Sequence, residues 1–115
     1  MHKIEDLKIW KKSIKLAKTV YLITSELPSD EKYGLNSQIK RSAISIPSNI
    51  AEGAGRNSNK EFKYFLSVAN GSAYELQTQL ILSIELNLIA KEKVNPVIEL
   101  CIEIQKMNYS FQQKL

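Results

Sequence analysis

Five lysines near the start of the chain, Lys8, Lys11, Lys12, Lys15 and Lys18, recur at helical steps. On an α-helix they share one arc and span about 15 Å at 1.5 Å per residue, long enough to follow several phosphates of a nucleic-acid backbone. Such contacts would be electrostatic, salt-sensitive and weak in sequence preference, and no aromatic platform for stacking bases stands out beside them. A lysine run of this kind is also what a plain solvated helix face looks like.

A second constellation lies in the middle of the chain. Asn49, Arg56 and Lys60 could hold a phosphate where the amides of a following helix begin, and Lys40 and Arg41 add cations upstream. The structural reading takes the larger share: Glu52 and Arg56 are an i, i+4 ion pair, and Arg41 can bridge to Glu75. Antiparallel packing around a turn near Asn57 would set Ser42 level with Ser72. On that reading Asn49, Glu52, Gly53, Arg56, Glu61, Ser72 and Glu75 form a packing network.

Catalysis finds little to work with. His2 is the single histidine and sits next to the terminus, so neither a Ser-His-Asp triad nor a histidine-rich metal site can form within one chain. Cys101 lies in an apolar helical stretch and reads as an inert core thiol. Gly53-Ala54-Gly55 lacks the preceding strand of a phosphate-binding loop, and the Glu-x-x-His pattern of di-iron bundles is absent. No enzyme, cofactor or metal is expected. Trp10 and the tyrosines of the helical stripes read as core anchors.

Helices must position these residues, because four segments carry helical periodicity and none alternates like a strand. The first runs from Asp6 to Glu26 and ends at Leu27-Pro28-Ser29-Asp30. It has two apolar stripes, Leu7, Trp10, Ile14, Ala17, Tyr21 and Ile9, Leu16, Val20, Ile23, besides the lysine ridge. The second opens with Asn36 as N-cap and reaches Ala54, with a kink expected at Pro47 that Ser42 or Ser45 could ease, and with Gly53 and Gly55 suited to a left-handed C-cap. Its seam is Leu35, Ile39, Ala43, Ile46 and Ile50.

Ser58 and Glu61 form a capping box for the third helix, whose seam is Phe62, Phe65, Leu66, Ala69, Ala73, Leu76 and Leu80, with Asn87 as C-cap. Tyr64, Val68, Leu82 and Leu86 load its opposite face. The fourth starts near Val94 to Pro96, with Asn95 as candidate cap and Pro96 as first helical residue. Short connections make neighbours antiparallel, so the chain reads as all-α, an up-down-up-down four-helix bundle with residues 1–115 as one domain.

Hydrophobic residues at 43% and charged residues at 24% are ordinary for a globular protein. The net charge of +4 comes entirely from the first half: residues 1–57 hold ten of the sixteen Lys/Arg but six of the twelve Asp/Glu. One cysteine, no apolar leader and no stretch approaching the ~20 residues of a membrane span point to a reducing, cytoplasmic setting away from membranes. Helices one, three and four carry more apolar surface than the arc of about 100° that a bundle buries, so a homo-oligomer is expected.

The middle of the chain resembles a known family. The carriers are Gly34 to Ala43, the string Ser45-Ile46-Pro47-Ser48-Asn49-Ile50-Ala51-Glu52-Gly53-Ala54-Gly55-Arg56, then Lys60-Glu61-Phe62, Phe65-Leu66, Gly71-Ser72 and Glu75-Leu76. These resemble the four-helix-bundle proteins encoded in intervening sequences of bacterial 23S rRNA genes, known as the S23 ribosomal protein family. That name reflects gene location. The resemblance implies a homopentameric barrel with a proposed role in nucleic-acid binding, and relatives in diversity-generating retroelements act as accessory proteins that bind reverse transcriptase and RNA. Lys40 stands where the family usually has arginine and Asn36 where threonine is more common, and both keep the chemistry. Two functions fit: a nucleic-acid-binding oligomer with RNA as partner, or an interaction scaffold whose partner is a protein.

Overall fold

The computed structural model of the chain describes residues 2–28 and 34–115. A short 3-10 turn, Ile4–Asp6, precedes four α-helices: α1 Lys8–Thr24, α2 Leu35–Ala54, α3 Asn59–Glu85 and α4 Lys91–Gln113. Each helix packs on its neighbours in chain order and α4 closes back on α1, which is the contact pattern of an up-down-up-down four-helix bundle. Cross-links confirm that neighbours run antiparallel. Lys12 meets Glu103 and Lys93 meets Glu26 between α1 and α4, while Ser42 meets Glu75 and Ser45 meets Ser72 between α2 and α3. The bundle measures 43 × 23 × 20 Å.

Its core is a single cluster built from one stripe of each helix, including Leu16 and Val20, Ile39 and Ile46, Leu66 and Leu76, and Val97 and Ile104. Of the two apolar stripes on α1, the bundle buries Ile9, Leu16 and Val20. The other stripe lies on the flank: Trp10, Ile14 and Ala17 are half-buried and Tyr21 is 43% exposed. The tyrosines among the described residues are therefore not core anchors, since Tyr64 at 64% and Tyr74 and Tyr109 are also exposed. A four-helix core accepts only a limited arc from each helix, and the surplus is left outside.

The ends of the helices depart from the sequence reading in several places. Leu7, not a residue before Asp6, is the N-cap of α1, and the helix stops at Thr24, two residues early, where Glu26 and Leu27 donate back to Ile23 and Thr24 in tightened turns. The stop expected over 27–30 lies partly outside the described residues. Gly34 is the N-cap of α2, and the Asn36 Oδ1 is buried without a partner among the described residues instead of capping.

Helix α2 is unbroken through Pro47. Ser42 and Ser45 do not ease it, because both spend their hydroxyls on α3.

Ser58 and Glu61 form the expected box at the start of α3: the Glu61 N–H donates to Ser58 Oγ at 3.1 Å. At the other end Leu86 is the cap and Asn87, with φ 56°, is the left-handed residue after it. Leu88 N–H donates to Ser83 O and Asn87 N–H to Ile84 O, both at 2.9 Å, which is the Schellman arrangement. Helix α4 begins at Lys91 rather than near Val94 to Pro96, with Ala90 and not Asn95 as cap, so that Asn95 lies inside the helix. Pro96 sits in its second turn, where it removes only the amide that would reach Glu92 O. Buried amides that periodicity does not reveal set the α3–α4 register: Asn108 Nδ2 donates to Leu66 O and Gln105 Nε2 to Gln77 Oε1, each at 2.8 Å.

Candidate nucleic-acid interface

The lysine ridge faces outward on α1, with Lys8, Lys11, Lys15 and Lys18 exposed. Lys12 leaves the set, because its Nζ lies 2.5 Å from Glu103 Oε1 on α4. Among the described residues the other four make no ion pair, so their charge is available to an anion. The closure of α4 onto α1 adds cations that sequence spacing did not reveal. Lys106 and Lys114 stand with Lys8 around a cleft of about 600 Å³ between the start of α1 and the last turns of α4. Leu7, Ile9, Met107 and Phe111 supply its apolar lining, and Asp6 and Glu103 are the acids on its rim. Nearly a hundred residues separate Lys8 from Lys106, so only the folded bundle brings them together.

The cations of α2 and α3 fare differently. Lys40 lies with its Nζ 5.0 Å from the centre of the Tyr21 ring, a cation–π contact on the α1–α2 flank. Arg41 is exposed and does not bridge to Glu75, whose Oε1 instead accepts from Ser42 Oγ at 2.7 Å. Ser72 pairs with Ser45 at 2.8 Å, not with Ser42. Both contacts share one register: Ser42 with Glu75 and Ser45 with Ser72 place α3 three residues, about one helical turn, away from the alignment that a pivot at Asn57 would give.

Arg56 is surrounded by its own chain. Its Nη2 is 2.7 Å from Glu52 Oε1, its Nη1 is 3.8 Å from Glu61 Oε2, and its guanidinium carbon lies 4.8 Å from the Phe65 ring centre. Asn49 donates to Ser45 O and Ser45 Oγ, at 2.8 and 2.9 Å, and so points along α2. Lys60 is exposed with no ion pair among the described residues. The start of α3 is thus occupied by Ser58 and Glu61, and Asn49, Arg56 and Lys60 do not converge on an open anion site. Gly53 belongs to the same joint. A Cβ placed there would lie 2.8 Å from both Phe62 Cδ1 and Phe65 Cβ, so the glycine serves the close approach of α2 to α3. No glycine is in the left-handed region among the described residues: Gly55 caps α2 in a right-handed conformation with φ −83°, and Gly53 lies inside the helix, where its role is this packing.

Chemistry elsewhere is muted. Burial pushes the Cys101 thiol up to about 11, and its Sγ donates to Ala73 O at 3.1 Å, which keeps it protonated and unreactive. The His2 ring packs edge-on against Phe62, with centroids 5.0 Å apart. No group of acids, His2 and Cys101 suited to a metal occurs among the described residues. No described helix is long and apolar enough to cross a membrane.

No curated protein matches the chain. A crystal structure of a protein of unknown function from the S23 ribosomal protein family, from Bacteroides thetaiotaomicron, is 28% identical, with a TM-score of 0.84. That alignment covers 90% of this chain and 97% of the other. Residues 5–110 match the 23S rRNA-intervening sequence protein family. That span holds α1 to α3 whole and most of α4, so the chain belongs to the 23S rRNA-intervening sequence protein family.

Proposed function

We propose that this protein is a non-enzymatic homo-oligomer that binds RNA, or nucleic acid more generally, along the α1 ridge, with residues 1–115 acting as one unit in the cytoplasm. The observation that carries the proposal is the set of unpaired cations on one face, Lys8, Lys11, Lys15 and Lys18, joined by Lys106 and Lys114 from α4. Phosphates are the ligands such a face suits, since they need charge without fixed geometry. Repetition of the ridge around an oligomer, with five subunits as the family resemblance implies, would multiply weak contacts.

Apolar surface supports the oligomer. Tyr21 and Ile44 on the α1–α2 side and Tyr64, Val68, Leu82 and Leu86 on α3 remain exposed on a single copy. A scaffold that binds only protein is the second reading, and the α3 surface is what favours it. Salt separates the two. Titration of labelled RNA at rising salt should give a log–log slope near −3 if four lysines meet single-strand phosphates, at about 0.7 per contact. An intact oligomer that binds no RNA at low salt removes the nucleic-acid reading and leaves the scaffold.

A further inference from the structure

We propose that the cleft between the start of α1 and the end of α4 is a nucleotide subsite that takes an unstacked base of a single-stranded RNA. The inference rests on the ridge being a phosphate-binding face and names what that face reads. Three observations carry it. The cleft has an apolar lining with one aromatic ring, Phe111, and its volume of about 600 Å³ falls within the range of small-ligand sites. Its rim carries Lys8, Lys106 and Lys114, against Asp6 and a Glu103 already neutralised by Lys12. Lys8 belongs both to that rim and to the ridge, so a strand laid along α1 reaches the cleft without leaving the cationic face.

An apolar slot with an aromatic wall beside phosphate-binding lysines suits a nucleotide: the base enters the slot and its phosphate stays at the rim. A duplex cannot use it, because its bases are stacked and paired inside the helix. Phe111 is held in place from behind, with its ring 5.3 Å from that of Phe62 and 6.3 Å from that of His2, which stiffens one wall. Lys12 pairs with Glu103 from α1 to α4 beside the mouth.

The test compares three proteins, wild type, Ser110→Trp and the double variant K11A/K15A, on oligoadenylate and on an RNA duplex of equal length at low salt. Ser110 is exposed and lines the cleft, so tryptophan there fills the slot without entering the core. Helical circular dichroism and thermal midpoint report on folding. Wild type should prefer the single strand, Ser110→Trp should lose that preference by about tenfold while keeping its duplex affinity, and K11A/K15A should weaken both ligands. Unchanged single-strand affinity in Ser110→Trp, with both ligands weakened in K11A/K15A, overturns the subsite and leaves the ridge standing. A wild type that binds neither ligand overturns both.

Discussion

Gly53 and Gly55 are two residues apart at the end of α2, yet they answer to different physics. The space for a Cβ at Gly53 is taken by Phe62 and Phe65, whereas at Gly55 the nearest atom is Ala51 O at 3.6 Å and the backbone is right-handed, with φ −83°. Gly53→Ala should therefore cost about 1–3 kcal/mol through overpacking. Gly55→Ala should be neutral or stabilise by about 0.5 kcal/mol by restricting the unfolded chain. Urea titrations of the two variants check this, and equal effects would show that the α2–α3 approach is looser than described. In the sequence the two glycines look alike as helix enders; what separates them is how near α3 comes. Cys101 makes a second case. Its folded form holds the proton more tightly than the unfolded form does, so the associated stability is intact below about pH 9 and is lost as pH climbs toward 11. Cys101→Val should lack that alkaline component, of about 2–3 kcal/mol, when unfolding is followed from pH 8 to 11. A thiol reagent that labelled the native wild type at pH 8 as fast as the unfolded chain would contradict the burial.

At the scale of elements, signals confined to one turn of chain were readable and signals set by packing were not. Ser58 and Glu61 mark the start of α3 because both partners of the capping box lie within three residues, and the lysine ridge is visible because its spacing is the helix period. Pro96 misplaced the start of α4 because proline at a first turn and proline in a second turn leave the same trace in sequence. The five-residue link from Leu86 to Ala90, tied by Asn87, decides between them. Asn87 is the hinge of that link. Only a residue at ease with φ 56° permits Leu88 to turn back onto Ser83 O. Asn87→Ala should cost about 1–2 kcal/mol, the penalty of the left-handed region for a residue with a Cβ and no local hydrogen bond, while Asn87→Gly should be near neutral. Thermal unfolding of the pair gives the comparison, and an alanine variant as stable as glycine would mean that the turn can relax to another form. The α4 cations of the proposed site were hidden for the related reason that Lys106 and Lys114 join Lys8 only across the closure of the bundle.

For the whole molecule, the excess of apolar surface was legible in composition and periodicity, but its arrangement depends on which stripe of α1 turns inward. Burial of Ile9, Leu16 and Val20 puts Trp10, Ile14 and Tyr21 on the α1–α2 flank beside Ile44, and leaves Tyr64, Val68, Leu82 and Leu86 on α3. These are two unlike patches. A two-fold dimer needs one self-complementary patch, whereas a closed ring needs two different patches that fit each other. The proposed oligomer is therefore expected to join the α1–α2 patch of one copy to the α3 patch of the next. Ile44→Glu and Leu82→Glu each place a charge in one patch, at residues 45% and 44% exposed in the single copy, so folding should survive. Alone, each variant should sediment as a 13.1 kDa protomer, because every contact in the ring requires both patches. Mixed in equal amounts at high concentration, the intact α3 patch of one variant can meet the intact α1–α2 patch of the other, and a species of twice the protomer mass should form with nothing larger. One variant that alone keeps the wild-type mass while the other stays a protomer, with no mixed pair formed between the two, would point to a single self-pairing patch, and the ring with its repeated cationic ridges would have to be abandoned.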